Sequence, residues 1–395
     1  MSEPTPSTGR PLDGVRILDF TRVLSGPYAT SLLADLGAEV IKVESPGGDD
    51  YRHVGPFLDD GASAIFEAVN RGKRGVVLDL GRVEHRALAQ ALAASADVVV
   101  ENFRPGVADK LGIGWEALSA ANPRLVVASV SGFGQSGPDA RRPAYDIVVQ
   151  ALSGLMHVTG EPEGEPTLVG ESIADVVSGL FAALGIVAAL HERAATGVGR
   201  RIDVSMFDSL MALQPLVVAR CLASGVAPMR VGNRHPLSAP FGAFRARTGS
   251  FVVAVLNEKL FSALCDTMGR PDLVADPRFG SDPDRLAHEA ALRAAIEAWA
   301  ADLAASDAVA RLVAAGVPAA EVADTIAALD GATARGRPVT QVARRADGTV
   351  RAVPEQPIRF DGAPRGTTPA APLLGEHDDL LADPSSAWSP RRPDR

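Results

Sequence analysis

The chain has 395 residues, 46% of them hydrophobic, and a mean hydropathy of +0.09, which is enough apolar material for more than one buried core and too much for a disordered or fibrous chain. Its 39 basic and 48 acidic residues give a net charge of −9 with no basic stripe, which argues against a nucleic-acid partner. The two cysteines, Cys221 and Cys265, match no metal or redox spacing and make no disulfide framework, so a reducing, cytoplasmic setting is expected.

Residues 1–10 are polar and proline-rich, lack the apolar core of a secretory signal, and are expected to form a disordered tail. From Val15 onward short apolar runs alternate with helical patterns. VRILDF reads as a strand; Gly26 and Pro27 open a helix that Gly37 ends; AEVIKVE is the next strand. VVLDL, a helix over Glu84 to Ala94, DVVVENF, short helices around Val107 to Ala120, and RLVVASVS continue the series. Such alternation predicts an α/β fold with a mainly parallel sheet covered on both faces, and function at the loops beyond the strand carboxyl ends.

Beyond Ala144 the expected elements are helices over Tyr145 to Met156, Ile173 to Arg193 and Met206 to Ala223, with RRIDVS as a strand between the last two. Ile173 to Leu190 approaches the length of a membrane span. Asp175, Ser178 and Gly179 within it and the absence of a basic flank favour a core helix, and no membrane partner is expected. Strands over Phe241 to Arg247 and Ser250 to Leu256 flank a turn, and an alanine-rich helical stretch runs from Leu286 to Ala315. The domain reading is a large domain over 11–225, a smaller α+β domain over 226–325, a linker returning to the large domain over 326–385, and a disordered tail at 386–395.

Gly132, Gly134 and Gly137 in GFGQSG match G-x-G-x-x-G, but Pro138, Arg141, Arg142 and Pro143 prolong the loop and no acidic residue stands about 20 positions on. A glycine-rich loop beside a pocket is the better reading than a dinucleotide site. P-loop, zincin and hydrolase signatures are missing, the seven histidines are scattered, and no metal site is expected.

Asp175 has two readings. Ser172 stands three residues before it, the spacing of a capping box at the start of a helix. The same position in the first helical turn would keep a carboxylate ionised near the positive end of the helix and make it a nucleophile if it faced a pocket. RVLSGP offers backbone N–H groups at a helix start, NRGKRG concentrates three cations that are either a solvated loop or a phosphate clamp, and ENFRPG follows a buried strand with groups suited to hydrogen bonding, stacking and phosphate pairing.

Taken together, PLDGVRILDFTRVLSGPYATSLLADLGAEVIKVE, NRGKRGVVLDL, DVVVENFRPG, NPRLVVASVSGFGQSGP and GESIADVVSGLFAALGIVAAL resemble the family III CoA-transferases, in order and spacing from Pro11 to about Ser209, with PLLGEH near the end. The resemblance implies a large Rossmann-like domain built from both chain ends, a small domain from the middle, and ring-shaped subunits interlocked in a homodimer. It implies Asp175 as the nucleophile and CoA contacts at Arg22, Val23, Leu24, Ser25, Ser45, Leu78, Gly81, Asn102, Phe103, Arg104 and Lys110. Gly132, Gly134 and Tyr145 are candidates for substrate or oxyanion contacts. The formyl-CoA:oxalate members carry a mobile glycine-rich loop, where this chain reads GNRHPLSAPFG.

The implied reaction moves CoA from an acyl-CoA donor, with succinyl-CoA a candidate, to a free carboxylic acid through an aspartyl anhydride and an aspartyl-CoA thioester. No permanently bound cofactor is required, because the nucleophile is intrinsic and the thioester already activated. The family also contains 2-methylacyl-CoA racemases, which carry a histidine where this chain has Tyr145, and a phenol is a poor base at neutral pH. A non-catalytic CoA-binding protein would need the loops but not Asp175.

Overall fold

The computed structural model describes residues 9–360 and 367–390, so residues 1–8 of the tail expected over 1–10 and the last residues, 391–395, lie outside the described residues. Six strands, β1 (Arg16–Asp19), β2 (Glu39–Glu44), β3 (Lys73–Val77), β4 (Val98–Glu101), β5 (Val126–Ser131) and β6 (Arg201–Ser205), form one parallel sheet. Their order is β3-β2-β1-β4-β5-β6, with Leu18 of β1 between Ile41 and Val99. Helices cover both faces, which is why the strands read as unbroken apolar runs. Ile17, Val40, Val98 and Val126 pack on one side with Leu33 and Ile186; Leu18, Ile41, Val76 and Val127 pack on the other with Leu92 and Ile113. The strand order reverses between β1 and β4, and the crevice at their carboxyl ends is where such sheets place ligands.

The helices in order are α1 (Ser25–Asp35), α2 (Ala64–Asn70), α3 (Val83–Ala94), α4 (Val107–Lys110), α5 (Trp115–Ala121), α6 (Asp146–Leu152), α7 (Leu155–Val158) and α8 (Ile173–Thr196). The helix expected over Tyr145 to Met156 is broken at Gly154, whose φ of +79° belongs to the left-handed region. The one expected over Met206 to Ala223 is two helices, Met206–Ala212 and Pro215–Ser224, bent by 76° where Pro215 cannot continue the first. Helix α8 is long and apolar enough to cross a membrane by composition, and half of that stretch is buried. It is not buried on all sides: Leu180, Phe181, Leu184 and Val187 stay open to solvent on one face.

The chain divides into two compact units. The first comprises Met1–Leu155, Leu168–Gly225 and Arg337–Arg395; the second comprises Met156–Thr167 and Val226–Gly336. The sequence reading assigned residues 156–167 to the large domain, and the structure places them in the smaller unit. Arg230 explains this, since its guanidinium donates to the carbonyls of His157, Glu161 and Gly164, and the Gly232 amide donates to Gly160. The second unit has an antiparallel sheet, β7 (Phe241–Arg245), β8 (Ser250–Ala254) and β9 (Ala319–Glu321), packed through Phe244, Phe251, Phe261, Leu292 and Leu312 against its helices. The alanine-rich stretch is several helices, among them Glu289–Ala300 and Ala305–Ala314.

In the first unit the returning segment forms β10 (Thr340–Arg344), β11 (Val350–Pro354) and β12 (Thr368–Pro369), then runs along β3. There the His377 amide donates to the Gly75 carbonyl, the Gly75 amide to His377 Nδ1, and the Val77 amide to Asp378. The disordered tail expected over 386–395 does not begin at 386. Ala387 and Trp388 are buried in the core beneath the sheet, and the Trp388 indole donates to Ser95 Oγ at 3.0 Å. An aromatic among prolines and charges reads as tail by composition, but a buried indole with a partner for its N–H is an anchor.

Candidate active site

The loop after β1 is held from below by buried ions. Asp19, fully buried, pairs with Lys73 at 2.9 Å and accepts from the hydroxyls of Thr21 and Thr30. Burial alone would push its carboxyl up, but Lys73, Lys42 and the two hydroxyls hold it down at about 2. The three Lys73 protons go to Asp19, the Pro27 carbonyl and Asn70 Oδ1. Lys42 donates to the Thr21 carbonyl and to Asp49, both at 2.8 Å, and Asp49 in turn accepts from the Val23 amide at 3.0 Å. Val23 has φ +68°, a conformation costly for a β-branched residue, so this loop is strained and braced where it meets the crevice.

These contacts dispose of both readings of NRGKRG. Arg71 pairs with Asp35, Lys73 with Asp19 and Arg74 with Glu39, so the three cations are tied into the sheet and its helices and do not form a phosphate clamp or a solvated loop.

The loops after β1 and β4 are locked together by a reciprocal pair: the Arg22 amide donates to Asn102 Oδ1 at 3.0 Å and Asn102 Nδ2 to the Arg22 carbonyl at 2.8 Å. Above them lies a cleft of about 340 Å³. Its walls include Arg22, Val23 and Ser25 from the first loop, Asn102, Phe103 and Arg104 from the second, and Gly132, Tyr145 and Asp175. A neighbouring hollow of about 210 Å³ shares Arg22 and Phe103 and adds Ser45 and Leu78. Leu24, Gly81, Lys110 and Gly134 belong to neither wall. Leu24 is buried, the Gly81 amide donates to Asp79, and Lys110 is exposed on α4 beside Leu111, which does line the hollow. The glycine loop turns away after Gly132: the Gln135 amide donates to both oxygens of Asp203. Asp50, Arg142 and Met206 also line the cleft; no sequence motif marks them for it.

Asp175 is the third residue of α8, and Ser172 makes no side-chain cap bond. The capping-box reading therefore fails. The cap is supplied from α6, where Asp146 Oδ1 accepts from the Ala174 amide at 2.7 Å while Oδ2 accepts from Gln150 Nε2 at 2.7 Å. The expectation that Asp175 stays ionised also needs correction. Burial, then the charge of Asp146, push its carboxyl up to about 7, against the lowering by the hydroxyl and amide of Ser25 at the start of α1. Two helix N-termini thus meet at one half-buried carboxyl group.

Gly179 allows this meeting. A Cβ there would lie 2.6 Å from the Ser25 carbonyl oxygen and 3.1 Å from the Tyr28 ring. Gly179→Ala is expected to destabilise the protein by about 1–3 kcal/mol through overpacking and to lower turnover, because the backbone of Ser25 must retreat from Asp175. Thermal melting and steady-state assays on the variant check both effects.

Residues 12–378 match the model of CoA-transferase family III. The chain belongs to this family. It is 50% identical over 300 residues to the acetyl-CoA:oxalate CoA-transferase of Acetobacter aceti, covering 75% of this chain and 77% of that one. It is 40% identical over 382 residues to the succinyl-CoA:mesaconate CoA-transferase of Haloarcula hispanica, covering 94% and 96%. The crystal structure of a CAIB/BAIF family protein from Brucella suis superposes with a TM-score of 0.84 at 38% identity, covering 95% of this chain and 99% of that chain. The family match and the CoA-transferases among its relatives together make the chain a CoA-transferase.

Proposed function

We propose that this family III transferase moves CoA from an acyl-CoA donor, with succinyl-CoA the first candidate, to a free carboxylic acid, and that Asp175 is the nucleophile. The observation that carries the reading is Asp175 itself, a carboxyl group released from capping duty and set in the wall of the cleft at the ends of two helices. The carboxylate attacks the thioester carbonyl, a C–O bond forms, the C–S bond breaks, and CoA leaves as thiolate from an aspartyl anhydride. Thiolate then attacks the aspartyl carbonyl, freeing the donor acid as carboxylate and leaving an aspartyl-CoA thioester. The acceptor carboxylate attacks that thioester, the resulting anhydride is opened by thiolate at the acceptor carbonyl, and Asp175 is regenerated with charge balanced at each step. The positive ends of α1 and α8 favour the oxyanions.

Among the glycine-loop candidates only Gly132 lines the cleft, so the oxyanion role is kept for it and not for Gly134. Arg22, Arg104 and Arg142 in the cleft wall suit an acceptor with a second carboxylate, in keeping with the oxalate and mesaconate named for the relatives. The open apolar face of α8 at Leu180, Phe181, Leu184 and Val187 supports the interlocked homodimer as the working assembly.

Borohydride added to the transferase with succinyl-CoA should label the peptide that contains Asp175, and a dicarboxylic acid added in place of borohydride should yield its CoA ester. Label on Cys221 or Cys265, or exchange of deuterium at Cα of a 2-methylacyl-CoA without any new CoA ester, would overturn the reading.

A further inference from the structure

In the first adduct between Asp175 and a thioester, two groups compete to leave. A thiol of pKa ~8.5 is a poorer leaving group than an ordinary aspartate of pKa ~3.9, so the adduct would collapse back to reactants far more often than forward. The balance is corrected by whatever makes the Asp175 carboxylate more basic. The surroundings of Asp175 contain one group placed to do that and to hold the helix start at the same time.

We propose that Asp146 is a positioning residue for catalysis, fixing the first turn of α8 with one carboxylate oxygen and setting the basicity of Asp175 with its charge. The inference rests on the reading of Asp175 as nucleophile. Asp146 Oδ1 takes the Ala174 amide, the donor immediately before Asp175 in the chain. Its Oδ2 takes Gln150 Nε2, and Gln150 continues the brace by donating to the Glu171 carbonyl and accepting the Val169 amide. The whole approach to α8, residues 169–174, is therefore laced to α6 through one acidic side chain. Asparagine or serine would serve as a cap equally well. An aspartate in this place adds a negative charge toward Asp175.

The other charged and titratable groups around Asp175 do not replace it. Tyr51, on the turn Asp50–His53, is pushed up to about 12 by burial and then by the charges of Asp175, Asp49, Glu171 and Asp146. Glu171, just before α8, is exposed and lies outside the cleft wall. On α1, Ser25 lowers Asp175 and Tyr28 is itself pushed up by burial. Arg22, Asp50, Arg104, Arg142 and Tyr145 line the same cleft, with the Arg22–Asp50 pair exposed and 3.4 Å long. Of all these, Asp146 is the charge that acts on Asp175 after burial itself.

The test is the pH dependence of succinate release in a single turnover with succinyl-CoA and no acceptor. The wild-type rate should rise with pH along an acid limb near neutrality. Asp146→Asn, which keeps an oxygen for the Ala174 amide, should move that limb down by about one to two pH units and lower the plateau rate severalfold. Asp146→Ser, a shorter neutral cap, should behave alike if the first variant folds poorly. Gln150→Ala removes the Gln150 bond but keeps the charge, and its limb should stay with the wild type. An unmoved acid limb in Asp146→Asn and Asp146→Ser, with Asp175 still trapped by borohydride, overturns the role of Asp146 alone; failure to trap Asp175 in the wild type overturns the nucleophile and this inference together.

Discussion

Asp175→Ala should lower CoA transfer by at least about 10⁴-fold, the scale seen when a covalent enzyme loses its nucleophile, while CoA esters still bind. Binding should survive because the loops after β1 and β4 are braced by Lys42, Asp49 and the Arg22–Asn102 pair, none of which touches Asp175 in the structure. The same variant should be more stable than the wild type at neutral pH. Burial and the charge of Asp146 push the Asp175 carboxyl up to about 7 in the folded chain, above the 3.8 of an ordinary aspartate. As pH rises from 3.8 the unfolded chain releases this proton first, so the folded state loses relative stability up to about pH 7, and the cost persists above it. Asp175→Asn should therefore melt higher than the wild type at pH above 7, with the gap closing as pH falls below 4. Calorimetry beside an activity assay separates the two effects, since a merely misfolded variant would be both inactive and less stable.

Lys73→Met should be the most destabilising single change in the first unit, at about 3–5 kcal/mol, because it leaves Asp19 buried without its closest cation. Asn70 Oδ1 and the Pro27 carbonyl would lose their donor as well, and Pro27 belongs to the first turn of α1 beside Ser25. Denaturant unfolding followed by the buried Trp388 checks the size of the loss. Adding Asp19→Asn should recover part of it, since an uncharged amide replaces a stranded carboxylate. In the wild type the contribution of Asp19 should be complete above the ordinary aspartate value of 3.8 and vanish as pH falls through about 2, the direction expected of a carboxyl held low in the fold. A loss below about 1 kcal/mol in Lys73→Met would mean that the pair does not organise this loop.

The parallel sheet was legible because strands covered on both faces leave continuous apolar runs, and VRILDF, AEVIKVE and DVVVENF are such runs. Asp175 and the loops at Arg22 and Asn102 were legible as candidates through their place after strands and at helix starts. What the Asp175 carboxyl does there was not, because its surroundings are assembled from a distance: the cap comes from Asp146, 28 positions before Ala174, and the close approach of α1 depends on Gly179. The three cations of NRGKRG read as a solvated loop or a phosphate clamp because Asp35, Asp19 and Glu39 come to them only through strand pairing and helix packing. The bend at Pro215 and the break at Gly154 were written in the residues themselves but were outweighed by the apolar pattern around them.

The clasp between the returning segment and β3 bears on how the protein is born. Gly75 is engaged by His377, 302 positions later in the chain, and Trp388 completes a core whose other members begin near Leu18. At about 5–20 residues per second a ribosome needs roughly 15–60 s to make the intervening stretch. Throughout that interval the outer edge of β3 offers unsatisfied amides and carbonyls to any passing strand, and the hollow that awaits Trp388 stays open. The nascent chain must be sheltered or slow to collapse until its final segment arrives, which makes production yield sensitive to synthesis rate and chaperone supply in a way that the finished enzyme's stability does not reveal.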